Sequence, residues 1–334
     1  MSYLALARKW RPKHLKDIVG QEHVVQALSN ALNSKKMHHA YLFSGTRGIG
    51  KTTIARILAK AFNCQKGMSA DTCGECGNCC SVDEGRFVDL LEVDGASNRK
   101  VEETTELLEK IQFAPSIGDY KIYIIDEVHM LSPYSFNALL KSLEEPPPHV
   151  RFFLATTDPE KLPITVLSRC LQFNLKRISP KLIMERLKFI CDEEQLKYED
   201  KALAKIARAA DGSLRDALSL LDQAIAFSGE ELTEVSISDM LGSIDRRYVE
   251  QLMQALVQGD SGLLIDTIEE IDQYFPNYDN LLVDIAAIFQ QLAVVKMTGV
   301  IKNNIYQEHD LSDYKESFDP EEIQLNYQIS IMGR

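Results

Sequence analysis

The stretch that decides the fold is Tyr41-Leu-Phe-Ser-Gly-Thr-Arg-Gly-Ile-Gly-Lys-Thr-Thr53. Tyr41, Leu42 and Phe43 read as the end of a buried strand. Residues Gly45 to Thr52 fit G-x-x-x-x-G-K-[ST] at every fixed position, and IARILAKAF follows at helical spacing. Strand, glycine loop and helix in that order form the setting a phosphate-binding loop requires. Gly45, Gly48 and Gly50 allow a backbone curl whose N–H groups, with the helix N-terminus behind them, hold polyphosphate. Lys51 is the candidate for the β- and γ-phosphates and Thr52 for Mg²⁺. The candidate nucleotide-contacting set from this loop is Gly45, Thr46, Arg47, Gly48, Ile49, Gly50, Lys51, Thr52 and Thr53.

A second half-site lies downstream. KIYII (121–125) is a short buried strand that closes on Asp126 and Glu127. Behind a complete phosphate loop, Asp126 is the candidate second Mg²⁺ residue and Glu127 the group that polarises an attacking water. Further strands are expected at FVDLLEV (87–93), RFFLAT (151–156) and LQFNL (171–175), with Thr157-Asp158 at the ligand-facing end of the second. Helical spacing is expected over 21–32, 101–111 and 135–143, the last stopped by Pro146-Pro147-Pro148. Repeated alternation implies an α/β domain with a mostly parallel sheet and helices on both faces.

Five of the seven cysteines fall within 64–80: Cys64, Cys73, Cys76, Cys79 and Cys80. The spacing C-x₈-C-x₂-C-x₂-C amid Gly67, Gly74 and Gly77 lets four thiolates converge on Zn²⁺ as a closed structural site. Four thiolates also serve an iron–sulfur cluster. The regular x₂ spacing favours Cys79 over Cys80 as the fourth ligand.

From Pro180 the pattern becomes helical only, with apolar stripes in LIMERLKFICDEE, ALAKIARAA and SLRDALSLLDQAIAF, and Ser213 as an N-cap. A further helical block starts near Val235, and 305–334 shows few clear stripes. The expected domains are 1–178 with the zinc module (64–80) inserted, 179–242 as a helical lid, and 243–334 as a helical collar. At 334 residues more than one core is expected. The charge of −12 is uneven: residues 1–60 carry eleven Lys/Arg against two Asp/Glu, residues 231–334 six against nineteen. An acidic total argues against wholesale coating of nucleic acid, while a basic face can still meet phosphates. With no apolar h-region at the N-terminus and no apolar run expected to reach the ~18 residues of a membrane span, a cytoplasmic chain is expected.

With these residues placed, the chain resembles the AAA+ family, and within it the clamp-loader ATPases of bacterial DNA polymerase III, in the γ/τ class. The likeness rests on LARKWRP (6–12), VGQEHV (19–24), HHAYLFSGTRGIGKTT (38–53), the spaced cysteines, IDEVHMLS (125–132), FNALLKSLEEPP (136–147), LATTDPEKLP (154–163), LSRCLQF (167–173) and GSLRDALSL (212–220). Three prolines after Glu145, where the family usually has two, and the extra Cys80 depart from its pattern. The resemblance implies that Arg169 is an arginine finger acting in trans on a neighbour's ATP. It implies that Thr157 (less well, Thr156) positions water or the γ-phosphate, and that Arg215 closes over the nucleotide. By the same likeness Arg11, Pro12 and Val19 contact base and ribose. Implied partners are further γ/τ copies, one δ, one δ′, the sliding clamp and primed DNA; Arg99 and Lys100 sit where a DNA-facing helix could begin. A different AAA+ DNA motor shares the nucleotide motifs but not the cysteine insertion with Ser168-Arg169-Cys170. A non-hydrolysing scaffold subunit predicts a damaged loop, and Gly45, Lys51, Thr52, Asp126 and Glu127 are intact.

Overall fold

A computed structural model of the chain describes residues 4–96, 110–229, 231–241, 246–272, 278–299, 314 and 317–334. The helix expected over 101–111, apart from its last two residues, and the basic pair Arg99-Lys100 lie outside them. The chain divides into two compact units, residues 1–186 with 210–219, and residues 187–209 with 220–334.

The first unit is built on five parallel strands: β1 (Ala40–Ser44), β2 (Leu90–Asp94), β3 (Lys121–Asp126), β4 (Val150–Thr156) and β5 (Leu171–Asn174), in spatial order β2-β3-β4-β1-β5. All pairings are parallel, with Tyr41 opposite Phe153 and Leu171, and Tyr123 opposite Phe152. Parallel strands covered on both faces need apolar residues at every position. AYLF (40–43), IYII (122–125) and FFLA (152–155) supply them. Alternate side chains serve two cores. Tyr41, Phe43, Ile122, Ile124 and Phe153 meet helices α2 (Glu22–Asn33) and α3 (Lys51–Phe62) through Val24, Leu28, Leu32, Ile54 and Leu58. Leu42, Tyr123, Ile125, Phe152 and Leu154 meet, on the opposite face, Leu139 and Leu143 of Pro133–Glu144 and Val166 of Ile164–Leu167. Each fully buried side chain of this size contributes about 1.5–3 kcal/mol.

In the N-terminal arm (residues 4–21), helix α1 (Leu6–Lys9) buries Leu6, and the Trp10 ring centre lies 5.9 Å from the Arg186 guanidinium. Gln21, fully buried, pins the arm to the end of β5. Its Nε2 donates to the Lys176 carbonyl (2.7 Å) and its Oε1 accepts from the Lys176 N–H (3.0 Å).

The strand expected from Phe87 begins three residues later. Asp89 turns its carboxylate onto the N–H groups of Ser116, Ile117 and Gly118 at 2.7–2.8 Å, so its own segment serves as a cap before pairing starts. The cysteine segment is partly helical as well, α4 (Gly77–Asp83) following Cys76.

In the second unit a short parallel pair, β6 (Lys197–Tyr198) with β7 (Glu231–Leu232), corrects the expectation of helices only. Helices Arg246–Gln258, Ser261–Asp272, Tyr278–Thr298 and Pro320–Met332 share one core around Leu252, Met253, Ile288, Phe289, Leu292, Phe318 and Ile323. Residues 320–332 form a full helix despite weak periodicity, because Asp319 and Glu322 make a capping box and Pro320 sits in the first turn. The expectation that no segment reaches membrane-span length is corrected too: Tyr278–Thr298, 21 residues, is long and apolar enough by length and composition. It packs into this core through Leu281, Ile288, Phe289, Leu292 and Val295.

One buried charge ties α4 to α3. Lys60, 1% exposed, donates to both carboxylate oxygens of Asp83 at 3.0 and 3.1 Å. An unpaired buried ammonium is costly. Asp83→Ala is therefore expected to destabilise the first unit by about 3 kcal/mol, read by urea unfolding; a change below about 0.5 kcal/mol would show that the pair is solvated.

Candidate functional site

The carboxyl ends of β1, β3 and β4 converge on one edge of the sheet, where a doubly covered parallel sheet presents its ligand crevice. From Ser44 the chain enters the loop with three glycines in the left-handed half of conformational space: Gly45 (φ +137°), Gly48 (φ +76°) and Gly50 (φ +109°). Each is needed for a different reason. A Cβ on Gly45 would lie 2.6 Å from the Leu175 carbonyl oxygen, and one on Gly48 would lie 1.9 Å from Ser213 Oγ and 3.1 Å from Arg215 Cβ. At Gly50 a Cβ would meet nothing within 4 Å, so the backbone angle alone demands glycine there.

Helix α3 then starts with no side-chain cap on Gly50. Its first N–H groups have no intrahelical acceptor, and the helix dipole favours an anion at this end. Lys51, 6% exposed, folds over the loop and donates to the carbonyls of Gly45 and Thr46, both at 2.8 Å. Burial lowers the Lys51 pKa, and the charges of Glu127 and Asp126 oppose that shift. Thr46 and Arg47 are exposed, Ile49 is buried in the core beneath the loop, and Thr53 is half-buried in the first turn.

Thr52 Oγ1 donates to Asp126 Oδ2 at 2.7 Å. The loop and the acidic strand end are thereby joined, across the intervening strand β4. Asp126 Oδ1 accepts from the Glu127 N–H at 3.0 Å. Glu127 itself is left-handed (φ +46°), a conformation a non-glycine residue adopts at a cost. Its Oε2 accepts from the Thr157 N–H (3.0 Å) and from Thr157 Oγ1 (2.9 Å). Thr156 faces the other way, fully buried, its hydroxyl accepting from the Asp158 N–H at 3.0 Å. Of the two threonines, Thr157 is the one in contact with the acid.

Gly95, which belongs to no motif in the sequence, abuts the acid pair. Its N–H donates to the Asp126 carbonyl, and a Cβ there would lie 2.5 Å from the Glu127 carbonyl oxygen. His129 is another residue that spacing did not expose: its Nδ1 lies 2.8 Å from Thr156 Oγ1 and 3.4 Å from Glu127 Oε2.

Ser213 caps the helix Leu214–Ser228, its Oγ accepting from the Asp216 N–H, and the Arg215 N–H donates to the Gly48 carbonyl at 3.3 Å. The exposed Arg215 side chain thus starts beside the loop. Arg11 is half-buried in the arm. Burial, then the charges of Arg56, Arg215 and Arg8, disfavour its protonated form, while Glu92 favours it. Glu92 is already bonded to Arg56 at 2.5 Å. Three like charges and one opposite charge, that of Glu92, thus bear on Arg11, a positive field that attracts a polyanion. Pro12 and Val19 are half-buried on the same arm. Arg169 stands apart from the group. It is joined to Glu144 Oε1 and the Thr165 carbonyl, each at 2.7 Å.

The sulfur atoms of Cys64, Cys73, Cys76 and Cys79 lie within 4.8 Å of one another, with Cys64–Cys73 at 3.5 Å and Cys73–Cys79 at 3.8 Å. A tetrahedron of four thiolates around Zn²⁺ has edges of about 3.8 Å, given Zn–S bonds near 2.3 Å. The donor set fits. Backbone N–H groups of Glu75 and Cys76 hold the Cys73 thiol down at about 6, toward the thiolate a metal needs. Cys80 turns its sulfur to the carbonyls of Gly74 and Glu75 instead.

Strand order and loop geometry define an AAA+ P-loop fold. The solved RuvB Holliday junction branch migration motor of Thermotoga maritima resembles this chain over 82% of its length and 90% of its own (TM-score 0.52, 20% identity), a likeness of fold alone. Residues 20–179 match the family described as DNA polymerase III, delta subunit. Residues 182–230 match the clamp loader subunit ATPase lid domain, and 232–334 match gamma and tau domain III. The whole chain is 44% identical to DNA polymerase III subunit gamma of Buchnera aphidicola subsp. Baizongia pistaciae, covering 92% of it. It is 50% identical to subunit tau/gamma of Haemophilus influenzae and 49% to subunit tau of Escherichia coli K12. The chain spans about half the length of those two relatives, 48% and 52% respectively. It belongs to the gamma/tau subunit family of bacterial DNA polymerase III.

The glycine geometry makes a differential prediction. Gly48→Ala adds a steric conflict to an unfavourable angle, whereas Gly50→Ala adds only the angle. Gly48→Ala should cost about 1–2 kcal/mol more in urea unfolding; equal costs would mean that Ser213 yields freely.

Proposed function

We infer that this chain is an ATP-driven motor subunit of the bacterial replicative clamp loader. It binds and hydrolyses ATP to open the sliding clamp and load it on primed DNA. The observation that carries this reading is the joining of Lys51, the Thr52–Asp126 pair and the Glu127–Thr157 pair at one sheet edge, in a chain of the gamma/tau family.

In this reading the loop from Gly45 to Thr53, including Thr46, Arg47, Gly48 and Ile49, cradles the phosphates. Lys51 exchanges its two loop carbonyls for β- and γ-phosphate oxygens. Arg11, Pro12 and Val19 border the base and ribose. Thr52 and Asp126, already in contact, are the residues that hold Mg²⁺, which neutralises charge on the phosphates when bound. Glu127 orients a water through Oε1 while Thr157 holds Oε2. Attack on the γ-phosphorus breaks the bond to the β-phosphate oxygen and yields ADP and inorganic phosphate. Arg215 closes over the nucleotide from the Gly48 side. Arg169, away from its own loop, serves as a finger in a neighbouring copy, where a guanidinium contributes roughly 10³–10⁵ in rate in related enzymes. Partners are further gamma/tau copies, δ, δ′, the clamp and primed DNA, in the cytoplasm. Cys64, Cys73, Cys76 and Cys79 hold a structural zinc that contributes to local folding.

Lys51→Ala is expected to abolish ATP binding in equilibrium titration. Arg169→Ala should bind ATP normally and lose stimulated turnover by on the order of 10³-fold; unchanged stimulated turnover would sink the finger assignment. Metal analysis of the undenatured chain should find about one zinc, lost in Cys73→Ser; iron in its place would overturn the zinc reading.

A further inference from the structure

Among the described residues at the sheet edge, His129 is a buried titratable side chain to which the preceding chemistry gives no task. It lies in the 3₁₀ turn Val128–Met130 directly after Glu127, with its side chain 8% exposed. Its Nδ1 faces two oxygens, Thr156 Oγ1 at 2.8 Å and Glu127 Oε2 at 3.4 Å. The Thr156 hydroxyl already accepts from the Asp158 N–H, and a carboxylate can only accept. An Nδ1 that carries the proton satisfies both neighbours. A bare Nδ1 would set its lone pair against the carboxylate.

We propose that His129 is a positioning residue for Glu127, its Nδ1–H bonded to Thr156 and turned toward Glu127 so that the carboxylate is held from its own turn as well as by Thr157. This rests on the ATPase reading above, in which Glu127 orients the attacking water. Glu127 needs such support: its backbone sits in the left-handed region, and its carboxylate is a quarter exposed. Thr157 grips Oε2 through two donors from β4's end, and Nδ1 of His129 approaches the same oxygen from the acid's own turn at 3.4 Å. With Oε2 so fixed, Oε1 is the oxygen left for water. Thr156, fully buried, is what fixes the imidazole in turn, so the chain of contacts runs from the Asp158 N–H through Thr156 and His129 to Glu127.

The test uses substitutions that separate the two ring nitrogens. The amide nitrogen of asparagine overlays Nδ1 of histidine, and that of glutamine overlays Nε2. The full chain, assembled with clamp-loader partners, clamp and primed DNA, is assayed at saturating ATP, with ATP affinity titrated separately. His129→Ala and His129→Gln should lower kcat by roughly tenfold or more, with ATP affinity within about twofold of the parent; His129→Asn should recover kcat to within about threefold. Parent turnover in His129→Ala, alongside a dead Glu127→Gln, would overturn the inference and leave the ATPase reading standing. Equal loss in His129→Asn and His129→Ala would also overturn it, reducing the histidine to filler of its pocket. A faster His129→Ala would reverse it, showing that the contact withholds the carboxylate. A parent assembly that does not hydrolyse ATP, or a Glu127→Gln as active as the parent, would bring down the ATPase reading itself and the inference with it.

Discussion

The first N–H groups of the helix that begins at Lys51 have no acceptor within that helix, and the site is arranged around that exposed positive end. The loop leading into it can reach the helix only by turning left-handed at Gly45, Gly48 and Gly50. The turn is so tight that a Cβ on Gly45 would collide with the Leu175 carbonyl and one on Gly48 with the Ser213 hydroxyl. Strand β1 delivers the loop, β3 the acids and β4 the threonine that steadies one of them. A parallel sheet is what lets three strands end together at one edge.

The same helix carries a second constraint at its far end. Cys64 follows just beyond Phe62, and the Lys60–Asp83 pair fastens the cysteine segment's helix to α3. Asn63 strengthens that junction. Its side chain bonds the Tyr120 N–H and carbonyl ahead of β3, and its carbonyl accepts from Asn78. The four-cysteine module is thus anchored to the end of the phosphate-loop helix, and its folding bears on the core that aims the loop.

Much of this was legible in the sequence because it is local. The motif from Gly45 to Thr52, the apolar strand closing on Asp126-Glu127, and the x₂ cysteine spacing that favours Cys79 each occupy a few adjacent residues. What escaped is long-range. Gln21 meets Lys176 across 155 positions, and Gly95 is required by the Glu127 carbonyl, which no local pattern reveals. His129 carries no periodic signal of its own, and its burial against Thr156 comes only from the pairing of strands. Asp89 displaced a strand start because its side chain caps a distant loop, an option that apolar periodicity does not register. The helix over 320–332 formed on its caps where its stripe was weak. The 21-residue apolar helix at 278–298 escaped because its apolar run is broken by charges.

The proposed function couples ATP hydrolysis at this site to clamp loading. ATP turnover by the full chain, assembled with the proposed δ and δ′ partners, sliding clamp and primed DNA, tests it most directly when each component is omitted in turn. Strong stimulation that needs the clamp and the primed DNA together is the predicted result. Turnover that ignores the clamp and responds to duplex or branched DNA alone would contradict the account, and place the chain with translocating motors of the same fold.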